Sequence, residues 1–409
     1  MTIVVHPGDA LSRRQRLVYI VVLGALTALG PATIDLYLPA FPALESDFSV
    51  TTATVQLTLT ATTIGFGLGQ LLVGPWSDKV GRRLPLIVAS SLHVCASVGA
   101  ATAANIEFLG LFRVLQGMGA AAGGVVAMAL VRDLFGGKPL VRMLSRLALV
   151  NGLAPILAPV IGSQLLRFTS WRGIFAVLAA YGVLVVVAAV FFIVETLPKE
   201  RRAEQGHSTL RQRYRILFHD RIFVGVALMG AMIFSGLFAY LSSSSFLFQS
   251  LYGFSAQEYG LLFAVNSLGI VVGVQISARL AQRFGPQWIL ACSTATMLVA
   301  ALTIVILDTL QVGLLGVLVP LWIFIASCGF SFPQVQVLAL ANHGKEAGTA
   351  ASLLGALNFG LAGLISPIVG VIGISTAAPM GAVMACTSAV AILSLWILVR
   401  PRTVPPLGH

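Results

Sequence analysis

The 409-residue chain is poor in charge: Lys, Arg, Asp and Glu together supply 10% of it, and only 14 residues are acidic. An ordinary soluble domain carries roughly a quarter charged residues, so a water-covered globule is excluded. Cysteine is scarce too. Cys95, Cys292, Cys328 and Cys386 stand singly, without C-x-x-C or Cys/His spacing, which leaves neither a disulfide framework nor a metal site. They are read as packing residues. No H-E-x-x-H, phosphate-cradling G-x-x-x-x-G-K-[ST], G-x-S-x-G nucleophile turn or appended soluble domain is found, so an embedded enzyme or receptor is the weaker class and no cofactor is expected.

Apolar runs fill the space that charge leaves. Hydrophobic residues make up 57% of the chain, and mean hydropathy is +0.95. Crossing a bilayer as a helix takes about 20 mostly apolar residues, and twelve such stretches lie at roughly 17–38, 54–75, 84–104, 107–132, 141–166, 171–194, 222–248, 257–280, 288–307, 311–334, 346–370 and 377–399. Barrel strands would be shorter and alternating, and only helices or closed barrels satisfy the backbone in lipid. The expected fold is therefore an all-α membrane protein of twelve transmembrane helices. The longest polar interruption, 195–221, separates six spans from six. It predicts an N-terminal bundle over 1–194, a linker over 195–221 and a C-terminal bundle over 222–409.

The net charge of +11 raises the question of a nucleic-acid partner, which the placement of the basic residues answers. With the N-terminus on the cytoplasmic side, 22 Lys and Arg fall on that side, Arg167 and Arg172 on the other, and Arg113 within a span. This is the positive-inside pattern with both termini cytoplasmic, and no nucleic-acid partner is expected. Residues 1–16 are basic, but the apolar run after them is too long for a signal-peptide core, so helix 1 is expected to be retained.

Residues 63–83, "TIGFGLGQLLVGPWSDKVGRR", lie over 267–287, "SLGIVVGVQISARLAQRFGPQ", at one fixed offset that matches Gly65 with Gly269, Gly69 with Gly273, Lys79 with Arg283 and Gly81 with Gly285. Helix 2 thus repeats as helix 8. Duplicated halves with a midplane site between them are the architecture of secondary transporters.

Asp35, in "GPATIDLYLPAFPAL", is the one acidic residue clearly inside a predicted span, and Arg113, in "LFRVLQGMGAAAGG", is an intramembrane cation that needs a partner. Their similar distances from the outer ends of helices 1 and 4 allow them to meet in one outer-half cavity. The bland alternatives are a solvated interfacial Asp35 or a permanent structural pair. Pro31 lacks the amide hydrogen for the Thr27 carbonyl and is expected to open helix 1 one turn before Asp35. Tyr37, Asn151, Tyr240, Asn266, Gln336 and Asn358 are further cavity candidates. His93 is read as a packing or hydrogen-bonding residue, and the run Ser242 to Ser245 as either an exit lining or tight packing. The loop "GPWSDKVGRRLPL" sets Asp78 among Lys79, Arg82 and Arg83, with Gly74 and Gly81 allowing close approach and Pro85 suited to a first helical turn.

The spacing G-x-x-x-D-x-x-G-R-R in that loop resembles the loop signature of the major facilitator superfamily. "FRVLQGMGAA" resembles its helix-4 motif, and "GLAPILAPVIG" is similar to the helix-5 motif of its antiporters, departing at Ala158 and Ser163 where glycines are usual. "TIDLYLPAFPAL", "VRDLF" and "WRGIFAVLA" resemble the bicyclomycin and chloramphenicol resistance branch (Bcr/CflA) of the drug:proton antiporters. The resemblance implies a bacterial inner-membrane exporter of small amphipathic drugs, monomeric, with protons as coupling ion. It makes Asp35 and Arg113 the proton-linked and cargo-linked pair, and places Asp78 and Arg82, with Gly74, Gly81 and Arg83, at a cytoplasmic gate. Pro155 and Pro159, with Pro31, become hinge residues. Some relatives carry a second acid about two turns earlier in helix 1, where Thr27 stands here, which implies neutral or zwitterionic cargo over strongly cationic drugs. A proton-coupled importer of a small metabolite is the nearest alternative on the same fold.

Overall fold

The computed structural model describes residues 12–197, 210–341, 343 and 347–404. These are nearly all helical, and 12 helices among them are long and apolar enough to cross a membrane. The first half holds α1 (Arg13–Asp35), α2 (Phe41–Phe48), α3 (Thr52–Val80), α4 (Arg83–Ala101), α5 (Ile106–Leu134), α6 (Gly137–Leu165) and α7 (Trp171–Phe192). The second holds α8 (Leu210–His219), α9 (Arg221–Ser245), α10 (Ala256–Phe284), α11 (Pro286–Thr309), α12 (Leu314–Leu340), α13 (Ala347–Ile365), α14 (Ile368–Ile372) and α15 (Ala378–Ser394).

Helix starts follow local chemistry. Ser12 and Gln15 form a reciprocal capping box at α1, as Ser255 and Glu258 do at α10, and the Asn105 side chain accepts from the Phe108 amide at α5. Gly81 ends α3 at φ 112° and Gly285 ends α10 at φ 81°, a region that favours glycine. The sequence repeat is therefore also a repeat of backbone conformation. Packing repeats as well: a Cβ on Gly69 would lie 2.6 Å from the Met118 carbonyl oxygen of α5, and one on Gly273 2.4 Å from that of Ala326 in α12. The two halves meet along α3 with α13 and α6 with α10, contacts related by the same pseudo-symmetry.

The first span differs from expectation in a way that sets the site. Pro31 does not open it, because α1 runs unbroken through Pro31 to Asp35. The break comes after Asp35, and Pro39 explains it: its ring and missing amide hydrogen fall where the Asp35 carbonyl would accept a helical bond. A turn at Leu36 and Tyr37, a 3₁₀ turn over Leu38–Ala40 and α2 carry the span on to Phe48. Asp35 therefore lies deeper than four residues from the span's end. Gly162 of α6 accommodates the break, since a Cβ there would stand 1.9 Å from the Leu36 carbonyl oxygen.

Within the expected linker, Glu195 binds back onto the first half and Leu197 is buried, while 198–209 lie outside the described residues. The cysteines are all free; Cys328 is buried, but Cys95, Cys292 and Cys386 are exposed rather than packed inside.

Candidate functional site

Asp35 is 5% exposed at the end of α1, and no hydrogen bond or ion pair reaches its carboxylate among the described residues. It lies within electrostatic range of Tyr240 on α9 and Tyr259 on α10, both in the opposite half. Those tyrosines belong to a satisfied polar cluster. The Asn266 amide donates to the Tyr240 hydroxyl at 3.1 Å, Tyr259 and Ser244 share a hydrogen bond of 2.9 Å, and Phe263 packs against both rings.

Arg113 is fully buried, two turns inside α5, and Asp35 is not its partner. Its Nη1 donates to the Thr33 carbonyl at 3.0 Å and to Gln116 Oε1 at 2.5 Å, and the guanidinium carbon lies 3.9 Å from the centre of the Tyr37 ring. A desolvated cation over an aromatic face gains about 2 kcal/mol, which is what Tyr37 supplies. Nε and Nη2 have no hydrogen-bond partner among the described residues. The expected Asp35–Arg113 meeting is thus corrected: similar depth does not bring the groups together, because α1 stops at Asp35 and directs it to the other half. Tyr37 is fully buried, and its ring also packs against Phe41 and Phe175.

Of the other cavity candidates, the structure brings Tyr240 and Asn266 together. Asn358 is half-buried, with Oδ1 unpartnered near Gly230. Asn151 and Gln336 are exposed on α6 and α12 and join none of these contacts. In α12 the interior position is held by Gln334, which donates to Ser277 Oγ of α10 at 2.7 Å. The serine run packs tightly: Ser242 to Ser245 are fully buried, with Ser242 bonded to the Ser366 carbonyl. Phe66 of α3 and Phe359 of α13 meet across the halves at 4.5 Å between ring centres, with Phe234 and Phe238 of α9 beside them.

At the arginine-poor end the halves are latched by neutral bonds. Gln56 of α3 uses both ends of its amide, donating to the Ser242 carbonyl at 3.1 Å and accepting from the Gly370 amide at 3.0 Å. Thr60 donates to the Gly363 carbonyl, Gln249 to that of Pro39 and Gln257 to that of Ser163. Pro155 and Pro159 lie inside an unbroken α6, the second of them against Gly260 of α10. A groove of about 590 Å³ opens above the Pro39–Gln249 contact, walled in part by Asp47, Trp171 and Arg172. Asp47 Oδ2 accepts from both Trp171 Nε1 at 2.8 Å and Arg172 Nη1 at 2.7 Å, which ties the end of α2 to the start of α7.

At the opposite end Arg82 is the centre of a charged cluster. It bonds Asp133 Oδ2 at 2.9 Å, Ser77 Oγ at 3.0 Å and Asp78 Oδ1, while its own amide and that of Arg83 donate to Glu195. Burial works against the Arg82 charge, but the two carboxylates outweigh it and raise its pKa. Gly74 packs near Val125 and Ser352. Asp133 and Glu195 join the expected gate residues, and nothing in the local spacing of 74–86 points to them.

A profile of the Major Facilitator Superfamily matches residues 21–367, with a second match over 252–408. The chain belongs to this superfamily. It is 37% identical over 391 residues to an uncharacterized MFS-type transporter, YdgK, of Bacillus subtilis, which covers 95% of this chain and 97% of that one. It is 29% identical to a bicyclomycin resistance protein homolog of Haemophilus influenzae, covering 94% and 97%. Among solved structures it resembles a partially occluded, inward-open xylose transporter, XylE, of Escherichia coli at a TM-score of 0.76 and 15% identity, covering 95% and 98%, a likeness of fold. The protein is thus an MFS transporter rather than an enzyme, and its match to the superfamily agrees with the twelve spans.

Proposed function

We propose that this transporter exports small amphipathic, antibiotic-like compounds across a bacterial inner membrane in exchange for protons. The observation that carries the reading is Asp35: a buried carboxylate, unpaired among the described residues, at a helix break in one half and near the tyrosines of the other. A group so placed feels the seam between the halves, and a change in its charge alters the energy of closing that seam. The bicyclomycin-resistance name of one relative supports drug export. The basic end faces the cytoplasm in this reading, with both termini there. The halves rock about their seam, Asp35 takes its proton from the arginine-poor side, and cargo leaves on that side. The chain acts as a monomer with no cofactor beyond the proton. Arg113 serves the cargo side of the cycle, and the Arg82 cluster braces the cytoplasmic gate.

Expression in a drug-sensitive bacterium should lower the accumulation of phenicols or bicyclomycin, and an uncoupler should restore it. Asp35→Asn should keep the fold and abolish uphill export. Full proton-driven export by that variant would remove Asp35 from the coupling. Energy-dependent accumulation of a metabolite instead would establish an importer.

A further inference from the structure

His93 lies in α4, fully buried, and the roles above leave it unused. Its Nε2 is 2.9 Å from Thr33 Oγ1. The Thr33 hydroxyl spends its single hydrogen on the Leu29 carbonyl at 2.6 Å, so at this contact it can only accept. The hydrogen must therefore sit on Nε2 of the ring. Nδ1 is left as a bare acceptor, and it is indeed buried without a hydrogen-bond partner among the described residues. A ring with hydrogens on both nitrogens would leave Nδ1–H unsatisfied in the same place.

Glycines let the neighbouring helices close on His93. A Cβ on Gly119 of α5 would stand 2.8 Å from the His93 Cβ, and one on Gly182 of α7 3.0 Å from Nδ1. Bonds then run round a closed circuit. Thr33 offers its carbonyl to Arg113, Arg113 binds Gln116, Gln116 donates to Ser97 Oγ at 2.8 Å, and Ser97 Oγ donates to the His93 carbonyl at 2.7 Å. Five residues from α1, α4 and α5 form one ring of polar groups. The arc through Thr33 is the only part of it on α1, two residues before Asp35 and the helix break.

We propose that His93 is a positioning residue for transport. As a fixed Nε2–H donor it holds Thr33, and through Thr33 it sets both the seat of Arg113 and the end of α1 from which Asp35 projects. This rests on the proposed proton coupling at Asp35. His93 itself carries no proton between the two sides of the membrane, because its free nitrogen is buried beside Gly182 and its hydrogen is committed to Thr33. The ring lets motion of the Asp35 segment be felt at Arg113 although the two side chains do not touch.

The test uses the full chain in proteoliposomes with chloramphenicol as probe cargo, together with nitrogen NMR of protein carrying labelled histidine. His93→Gln places an amide donor near the Nε2 position, while His93→Leu places none. Uphill transport should fall about tenfold in His93→Leu, the scale of one lost buried hydrogen bond, and recover in His93→Gln. Thr33→Val should match His93→Leu, and the double variant should be no worse than either. The His93 signals, assigned by their loss in His93→Gln, should be those of a neutral ring with hydrogen on Nε2 across pH 5 to 8, roughly the range over which free histidine titrates. A hydrogen on Nδ1, a ring that gains a second hydrogen in that range, or additive losses in the double variant would overturn the proposal. The NMR result stands whether or not the chain moves chloramphenicol, so failure here is distinct from failure of the export reading. Should His93→Leu not fold, the comparison of Thr33→Val with His93→Gln and the NMR tautomer decide.

Discussion

Replacing Gln56 by alanine should open the arginine-poor end of the transporter. Both ends of this fully buried amide are spent across the seam, on the Ser242 carbonyl and the Gly370 amide. Each buried neutral hydrogen bond is worth about 1 kcal/mol, and a backbone group left without a partner costs about 1 to 3 kcal/mol. With both bonds broken, the closed arrangement is disfavoured by about 2 to 4 kcal/mol, or a shift of about 30-fold to about 1000-fold toward separated halves. The shift is not shared with the separated state, where both groups meet water. Spin labels at the exposed positions Phe168 and Leu310, in a background without Cys95, Cys292, Cys328 and Cys386, report the span between the halves by pulsed electron resonance. The parent should give mainly the short distance and Gln56→Ala mainly a longer one. Gln56→Glu keeps an acceptor for Gly370 but sets a carboxylate against the Ser242 carbonyl, so it should open at least as far. Identical distance distributions in parent and Gln56→Ala would refute the reasoning and place the latch elsewhere.

Arg82→Ala should lower the thermal stability of the detergent-solubilised protein by about 2 to 3 kcal/mol, since removing one member of a buried pair is costly but Asp78 is 42% exposed and screened. Arg82→Lys should recover only part of this, and full recovery would show that a point charge suffices. Gly162→Val should destabilise by about 1 to 3 kcal/mol or more, because its side chain must displace the Leu36 carbonyl; melting curves check this. Asp47 accepts from the buried Trp171 indole as well as from the more exposed Arg172, so its two replacements should differ. Asp47→Asn keeps an acceptor for the indole and should melt within about 1 kcal/mol of the parent, whereas Asp47→Ala strands that N–H and should cost about 1 to 3 kcal/mol. Equal cost in the two variants would assign the effect to the carboxylate charge instead.

The spans are legible because run length against bilayer thickness is a one-dimensional property. The repeated glycines are legible for a related reason: a positive φ at Gly81 and Gly285, or a neighbour's carbonyl against Gly69 and Gly273, tolerates little else. Facing is harder. Asn151 and Gln336 share their helices with interior positions, and which side of a helix turns inward depends on neighbours far away in sequence. The same limit separates Asp35 from Arg113: depth can be counted along a chain, but rotation about the helix axis cannot. The outward continuation of the first span is hidden by Pro39, Pro42, Glu45 and Asp47, which look like a loop and are instead a broken helix. The polar ring round Arg113 has a faint signature. His93 with Ser97 and Arg113 with Gln116 stand four and three residues apart, each pair on one helical face.

The latches between the halves join neutral side chains to main-chain groups, whereas the ion pairs of Arg82 with Asp78 and Asp133, and of Arg172 with Asp47, lie within the first half. Dissolved ions weaken attraction between opposite charges and leave amide-to-carbonyl contacts almost untouched. A cell moved between fresh and brackish water should find these neutral latches opening and shutting at the same rate, with salinity felt instead in how firmly the first bundle holds its own shape.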